Sequence, residues 1–120
     1  MSNETGQLGG RADGKVFADQ LFDVFTVLVG AAALLERRWE ELGEAGRGEL
    51  VGIIDKGVER GVALMESRDL PWLEWQLDHY FVLVRVAALT LASPGSGHHL
   101  RREAAEAIRG GAAPLMAGVA

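Results

Sequence analysis

A chain of 120 residues and 12.9 kDa is the size of one domain, and a hydrophobic share of 48% is enough to give it a small core. Cysteine is absent, which excludes a disulfide framework, a zinc–thiolate site and a thiol nucleophile. A net charge of -5, a pI near 5.1 and basic residues scattered along the chain argue against a nucleic-acid partner.

The opening stretch MSNETGQLGGRADG is polar and glycine-rich and reads as a disordered segment over 1–14. It lacks the basic stretch, apolar run and small-residue cleavage site of a secretory leader, so a cytoplasmic chain is expected. Basic residues that are mostly arginine, together with abundant Ala and Gly, are the composition expected of a GC-rich bacterial genome.

From Lys15 to Leu42 the residues Ala18, Leu21, Phe25, Leu28, Ala32, Leu35, Trp39 and Leu42 recur at alternating steps of three and four. That spacing predicts a first helix with a seam for helix-on-helix packing. Gly43 stands where a left-handed C-terminal cap is expected, and GEAGRG reads as the following loop. Phe22, Val24, Val27, Val29 and Leu34 extend the apolar surface beyond the seam, as in a helix that is central or shared with a second subunit. As a membrane span, FDVFTVLVGAAALL falls short of the roughly twenty apolar residues required and carries Asp23.

A second helix is expected from Glu49 to Glu66. Leu50, Ile54, Gly57, Gly61 and Leu64 form one stripe beside Val51, Val58 and Met65, while Asp55, Lys56, Glu59 and Arg60 fall elsewhere. Gly57 and Gly61 each cost roughly 1 kcal/mol of helix stability relative to alanine, so close packing must offset them. Their spacing lets another backbone approach, whether from the first or third helix, a second copy of the chain, or a flat ligand.

SRDLP marks a break, with Asp69 as N-cap and Pro71 in the first turn of a third helix that reaches Ala92. Leu73, Leu77, Tyr80, Val84, Ala87 and Leu91 form its seam, and SPGSG ends it. A short fourth helix, LRREAAEAIR, is expected over 100–109, stopped by Gly110 and Gly111, with a C-terminal tail over 111–120. The first and third helices also resemble each other: Gln20 aligns with Gln76, Phe25 with Phe81, Ala31 and Ala32 with Ala87 and Ala88, and Leu35 with Leu91. Two such helices could pack with similar faces about a pseudo-twofold axis, and in a chain so rich in Ala and Leu chance can produce the same match.

Candidate chemistry is sparse. His79 lies beside Asp78 and one turn from Trp75, as a base, a ligand-binding residue or a half-buried packing group. His98 and His99 occupy a loop or first turn, and adjacent histidines point apart on a helix. The carboxylate pairs Asp19/Asp23, Asp55/Glu59 and Glu74/Asp78 each share a helical face and read as solvated rather than metal-binding. Arg85 interrupts the apolar run FVLVRVAALTLA and is expected to pair with Asp23 or Asp78, or to bind an anion. Phosphate-binding, nucleophile-elbow and zinc motifs are absent from the sequence.

The expected protein is therefore an all-α bundle over 15–110, of three long helices and one short one, completed by self-association. It is expected to be non-enzymatic, without cofactor or metal, acting as an oligomerising scaffold or adaptor through apolar helix faces. Leu21, Phe25, Leu28 and Leu35, the glycines Gly57 and Gly61, and the anchor pair Trp72 and Trp75 are its candidate interface residues. The alternative is a regulatory domain that holds a small apolar ligand between helices, with His79 and Arg85 fixing a polar group. A homo-oligomer, with a further protein partner in the adaptor case, is expected in preference to nucleic acid or a membrane span.

Overall fold

The computed structural model describes residues 2–67 and 71–119, with side chains described over 15–67 and 74–118. Its elements are α1 (Ser2–Arg37), α2 (Trp39–Glu66), α3 (Pro71–Ala92) and α4 (His98–Val119), with no strand among the described residues. The all-α bundle is thus as expected. The helices form a ring in which α1 and α3 each lie between α2 and α4, and α1 meets α3 across the diagonal.

The first reversal illustrates how local chemistry sets the architecture. Arg38 departs from helical geometry, yet its N–H still donates to the Leu34 carbonyl at 2.9 Å and its own carbonyl accepts from Leu42 N–H at 3.0 Å. Helical bonding therefore carries on to Leu42, as the apolar spacing predicts. The real break is Gly43, with φ 65° and ψ 178°, a conformation open essentially to glycine alone. Leu28 packs on Gly57, and these lie fifteen residues before and fourteen after Gly43 (43 − 28 and 57 − 43), so the hairpin closes there. The chain resumes as helix at once, and the loop expected over GEAGRG is instead the first turns of α2 beyond the kink.

Core residues follow the predicted stripes. Leu21, Val24, Phe25, Leu28, Ala31, Ala32 and Leu35 of α1 are buried, as are Ile54, Val58 and Met65 of α2. In α3 the buried set is Leu77, Tyr80, Phe81, Val84, Ala87, Ala88 and Leu91. Each of these α3 positions lies 56 residues after a buried position of α1 (77 − 21 through 91 − 35), so the two helices present the same pattern inward. Phe25 and Tyr80 meet edge to face across the diagonal, with centroids 5.5 Å apart and planes at 80°.

The fourth helix corrects the expected boundary. It runs through Gly110, Gly111 and Pro114 to Val119, where a stop and a tail over 111–120 were expected. Ile108, Ala112 and Leu115 recur at helical spacing and are buried, so packing on the bundle outweighs the poor helix propensity of the two glycines and the proline. The expected N-cap, Asp69, lies outside the described residues.

Candidate interaction surface

Residues of α3 are apolar on two faces, and only one of them points into the bundle. The outer face carries Trp75 at 73% exposure, Val82 and Val86 at 60% each, and Leu89 at 70%. With His79 these positions step by four, three, four and three along α3, which keeps them in one stripe on an α-helix. The His79 imidazole stacks on the Trp75 indole, with centroids 5.6 Å apart and planes at 12°. That stack makes a flat aromatic plate at one end of an aliphatic ridge.

Different groups border the two sides of this stripe. Exposed Asp78 and Arg85 lie on one side, seven residues apart in sequence. On the other, a groove of about 290 Å³ runs between α3 and α4, bounded by Trp75, His79, Leu83, Gly111 and Pro114. Gly111 opens this groove because the Tyr80 ring crosses it: a Cβ at 111 would lie 3.0 Å from Cδ1 and Cε1 of that ring.

The structure redistributes the sequence-predicted interface residues. Leu21, Phe25, Leu28 and Leu35 are fully buried among the helices of the one chain, because the seam read as shared with another subunit is filled by α2, α3 and α4. Gly57 and Gly61 are likewise internal, against Leu28 of α1 and Phe81 of α3 respectively. Trp72 belongs to the residues whose side chains are not described, and Trp75 is exposed. Arg85 is exposed and makes no ion pair with Asp23 or Asp78. Val82, Val86 and Leu89 were missed as surface residues, although their offset from the inner seam was visible in the spacing.

A second constellation lies at the opposite end of the bundle from Trp75. The Trp39 indole N–H donates to the Leu91 carbonyl at 2.9 Å, and the guanidinium carbons of Arg47 and Arg101 stand 3.8 and 4.3 Å from its ring centroid. Arg47 also donates to the Trp39 carbonyl at 2.8 Å, and Arg101 donates to the Ser96 carbonyl. One indole thereby fastens α2, α3 and the start of α4. His98 lines an adjacent cleft of about 370 Å³ with Glu36, Arg38 and Glu40, a mixture of both charge signs. His99 pairs with Glu103 at 3.0 Å on the solvent face.

Three further features complete the surface. The carboxylate pairs all face solvent, and the described residues contain no group of three or more His, Asp or Glu placed to hold a metal ion. An apolar groove of about 410 Å³ lies between α1 and α4, lined by Phe25, Val29, Ala112 and Met116 with Arg109 at its rim. Neither His79 nor Arg85 borders it. Lys15–Arg37 is long and apolar enough to match a membrane span in length and composition, with mean hydropathy 1.6, and one side of it is the buried core of the bundle.

No family model, curated protein or solved structure matches the chain.

Proposed function

We propose that this chain is a non-enzymatic helical association module, whose work is to hold subunits together through an apolar helix face. The observation that supports it is the outer stripe of α3, where Trp75, Val82, Val86 and Leu89 are 60–73% exposed on one side of a helix whose other side already fills the core. A lone exposed leucine needs no explanation, whereas a contiguous apolar ridge on a small domain favours coverage by another polypeptide. Native mass spectrometry of the full chain over a concentration series tests the reading. A discrete oligomer is expected, and a monomer at every concentration overturns it.

The α1–α4 groove favours a second reading, a binding domain for a small amphipathic anion such as an aliphatic carboxylate. Its apolar walls would take the chain and the Arg109 guanidinium the charge. The same spectra separate the two, since this reading requires a reproducible bound mass that Gly30→Leu, which fills the groove, removes.

A further inference from the structure

We propose that α3 pairs antiparallel with α3 of a second copy, with Asp78 of each chain against the partner's Arg85. This rests on the association reading and adds to it the face, the direction and the register.

Steps of four, three, four and three make Trp75, His79, Val82, Val86 and Leu89 a heptad seam, with Trp75, Val82 and Leu89 in d-like positions and His79 and Val86 in a-like ones. Asp78 and Arg85 then both occupy the g position flanking the seam, about 10 Å apart along the axis. In a parallel pair, g positions face e positions, which here are Leu83 and Thr90, so neither charge meets an opposite one. In an antiparallel pair, g faces g.

Register follows from the same two charges. With Trp75 opposite the partner's Val86 and His79 opposite the partner's Val82, Asp78 meets the partner's Arg85, and the twofold axis makes the reciprocal pair at once. A slip of one heptad in one direction sets Asp78 against the partner's Asp78. The opposite slip sets Arg85 against the partner's Arg85. Like charges in either slipped register are repulsive, so the surface is complementary to itself in one arrangement.

Both charges are available for this. The ion pairs of the described residues are His99–Glu103 and Arg102–Glu106, and among those residues neither Asp78 nor Arg85 has an ionic partner. The apolar layers supply the attraction and the charges the direction. One helix pair covers less than the ~800 Å² per partner of a standard interface, so the dimer is expected to be reversible within an accessible concentration range.

Sedimentation equilibrium of the full chain provides the test, with circular dichroism to confirm the fold of each variant. Arg85→Asp places Asp78 against an aspartate in both symmetry-related pairs and is expected to raise the dimer dissociation constant about tenfold or more. Combining Asp78→Arg with Arg85→Asp exchanges the charges and is expected to restore dimerisation, an outcome that mere surface disruption does not produce. Because the chain contains no cysteine, Val82→Cys and Leu89→Cys each provide a single thiol for a short bis-maleimide cross-linker. Antiparallel pairing in this register puts the two copies of position 82 about 10 Å apart and those of position 89 about 25 Å apart or more. Cross-linking at 82 and its absence at 89 support the proposal. Equal cross-linking at both positions, as a parallel pair on the same face gives, or an oligomer indifferent to Arg85→Asp, overturns it and leaves the association reading standing with another direction or another face. A wild-type monomer at every concentration overturns both.

Discussion

The ring of Phe81 lies directly over Gly61. A Cβ built on Gly61 would fall 2.9 Å from Cε1 and 3.0 Å from Cε2 of that ring, and closer still to Cζ. The ring is itself in the core at 2% exposure, so it has little freedom to move aside. Gly61→Ala gains about 1 kcal/mol of helix propensity and loses about 1–3 kcal/mol to overpacking, for an expected net loss of about 1 kcal/mol. Chemical denaturation measures it, and adding Phe81→Leu should reduce the penalty of the alanine. At Gly57 the new methyl meets a terminal methyl of Leu28 at 3.0 Å and Val27 Cγ1 at 3.8 Å, and at Gly52 it meets nothing within 4 Å. Gly57→Ala should therefore be near neutral, and Gly52→Ala should stabilise by about 0.5–1 kcal/mol. If all three alanines stabilised equally, close α2–α3 packing would not be the reason for Gly61.

Gly43 is a glycine for a different reason. No atom lies within 4 Å of a Cβ placed there, so space is not the constraint. Its φ of 65° with ψ of 178° is, and Gly43→Ala should cost about 1–3 kcal/mol through backbone strain alone. Glycine hydration or solvent exposure has no part in this, so Gly48→Ala, with equally open surroundings and helical backbone, is the control that should not destabilise. Equal effects of the two substitutions in a denaturation series would contradict the assignment of the hairpin turn to Gly43.

Trp39 joins the end of the first hairpin to the second. Trp39→Phe keeps an aromatic face for Arg47 and Arg101 but removes the N–H that donates to the Leu91 carbonyl, and should cost about 1 kcal/mol. Trp39→Ala also removes the ring and both cation–π contacts, and should cost about 3–5 kcal/mol, toward the lower end because the residue is only half-buried. Thermal unfolding of the two variants orders them, and a Phe variant as damaged as the Ala variant would assign the whole effect to the hydrogen bond.

Most of the fold was legible in local patterns, because each core position repeats at helical spacing within its own segment. Leu21, Phe25, Leu28 and Leu35 identified the inward face of α1, and the matches of Phe25 with Phe81 and Leu35 with Leu91 pointed to a second helix of the same design. What spacing could not give was the destination of that face. A seam of leucines looks the same whether the chain's own α2, α3 and α4 or another subunit covers it, which is why the interface was expected on buried residues. The α4 boundary failed for a related reason. Gly110, Gly111 and Pro114 argue locally for a stop, and the burial of Ala112 and Leu115 that outweighs them depends on residues far away in sequence. The Trp39–Leu91 bond and the two guanidiniums on the indole are likewise long-range, with no signature in the residues around Trp39.

Tyr80 offers the last test, through its titration. It is the only tyrosine in the chain, it is 3% exposed, and its hydroxyl donates to the Ile108 carbonyl at 2.9 Å. Burial pushes its phenol well above the ordinary value near 10, because the phenolate would lie without solvent in the core. Below about pH 10 the phenol is protonated in both folded and unfolded chains, so this linkage does not change stability with pH. Above that, the unfolded chain releases the proton while the folded chain retains it, and stability falls as pH rises by up to about 1.4 kcal/mol per pH unit. Tyr80→Phe should lose about 1 kcal/mol at neutral pH with the hydrogen bond, and should show a shallower decline in stability above pH 10 than the parent chain. Phenolate absorbance in the parent chain should rise together with the loss of helical circular dichroism. Ionisation that preceded unfolding would mean that Tyr80 is accessible to water in the native bundle, contrary to the packing of α3 on α4.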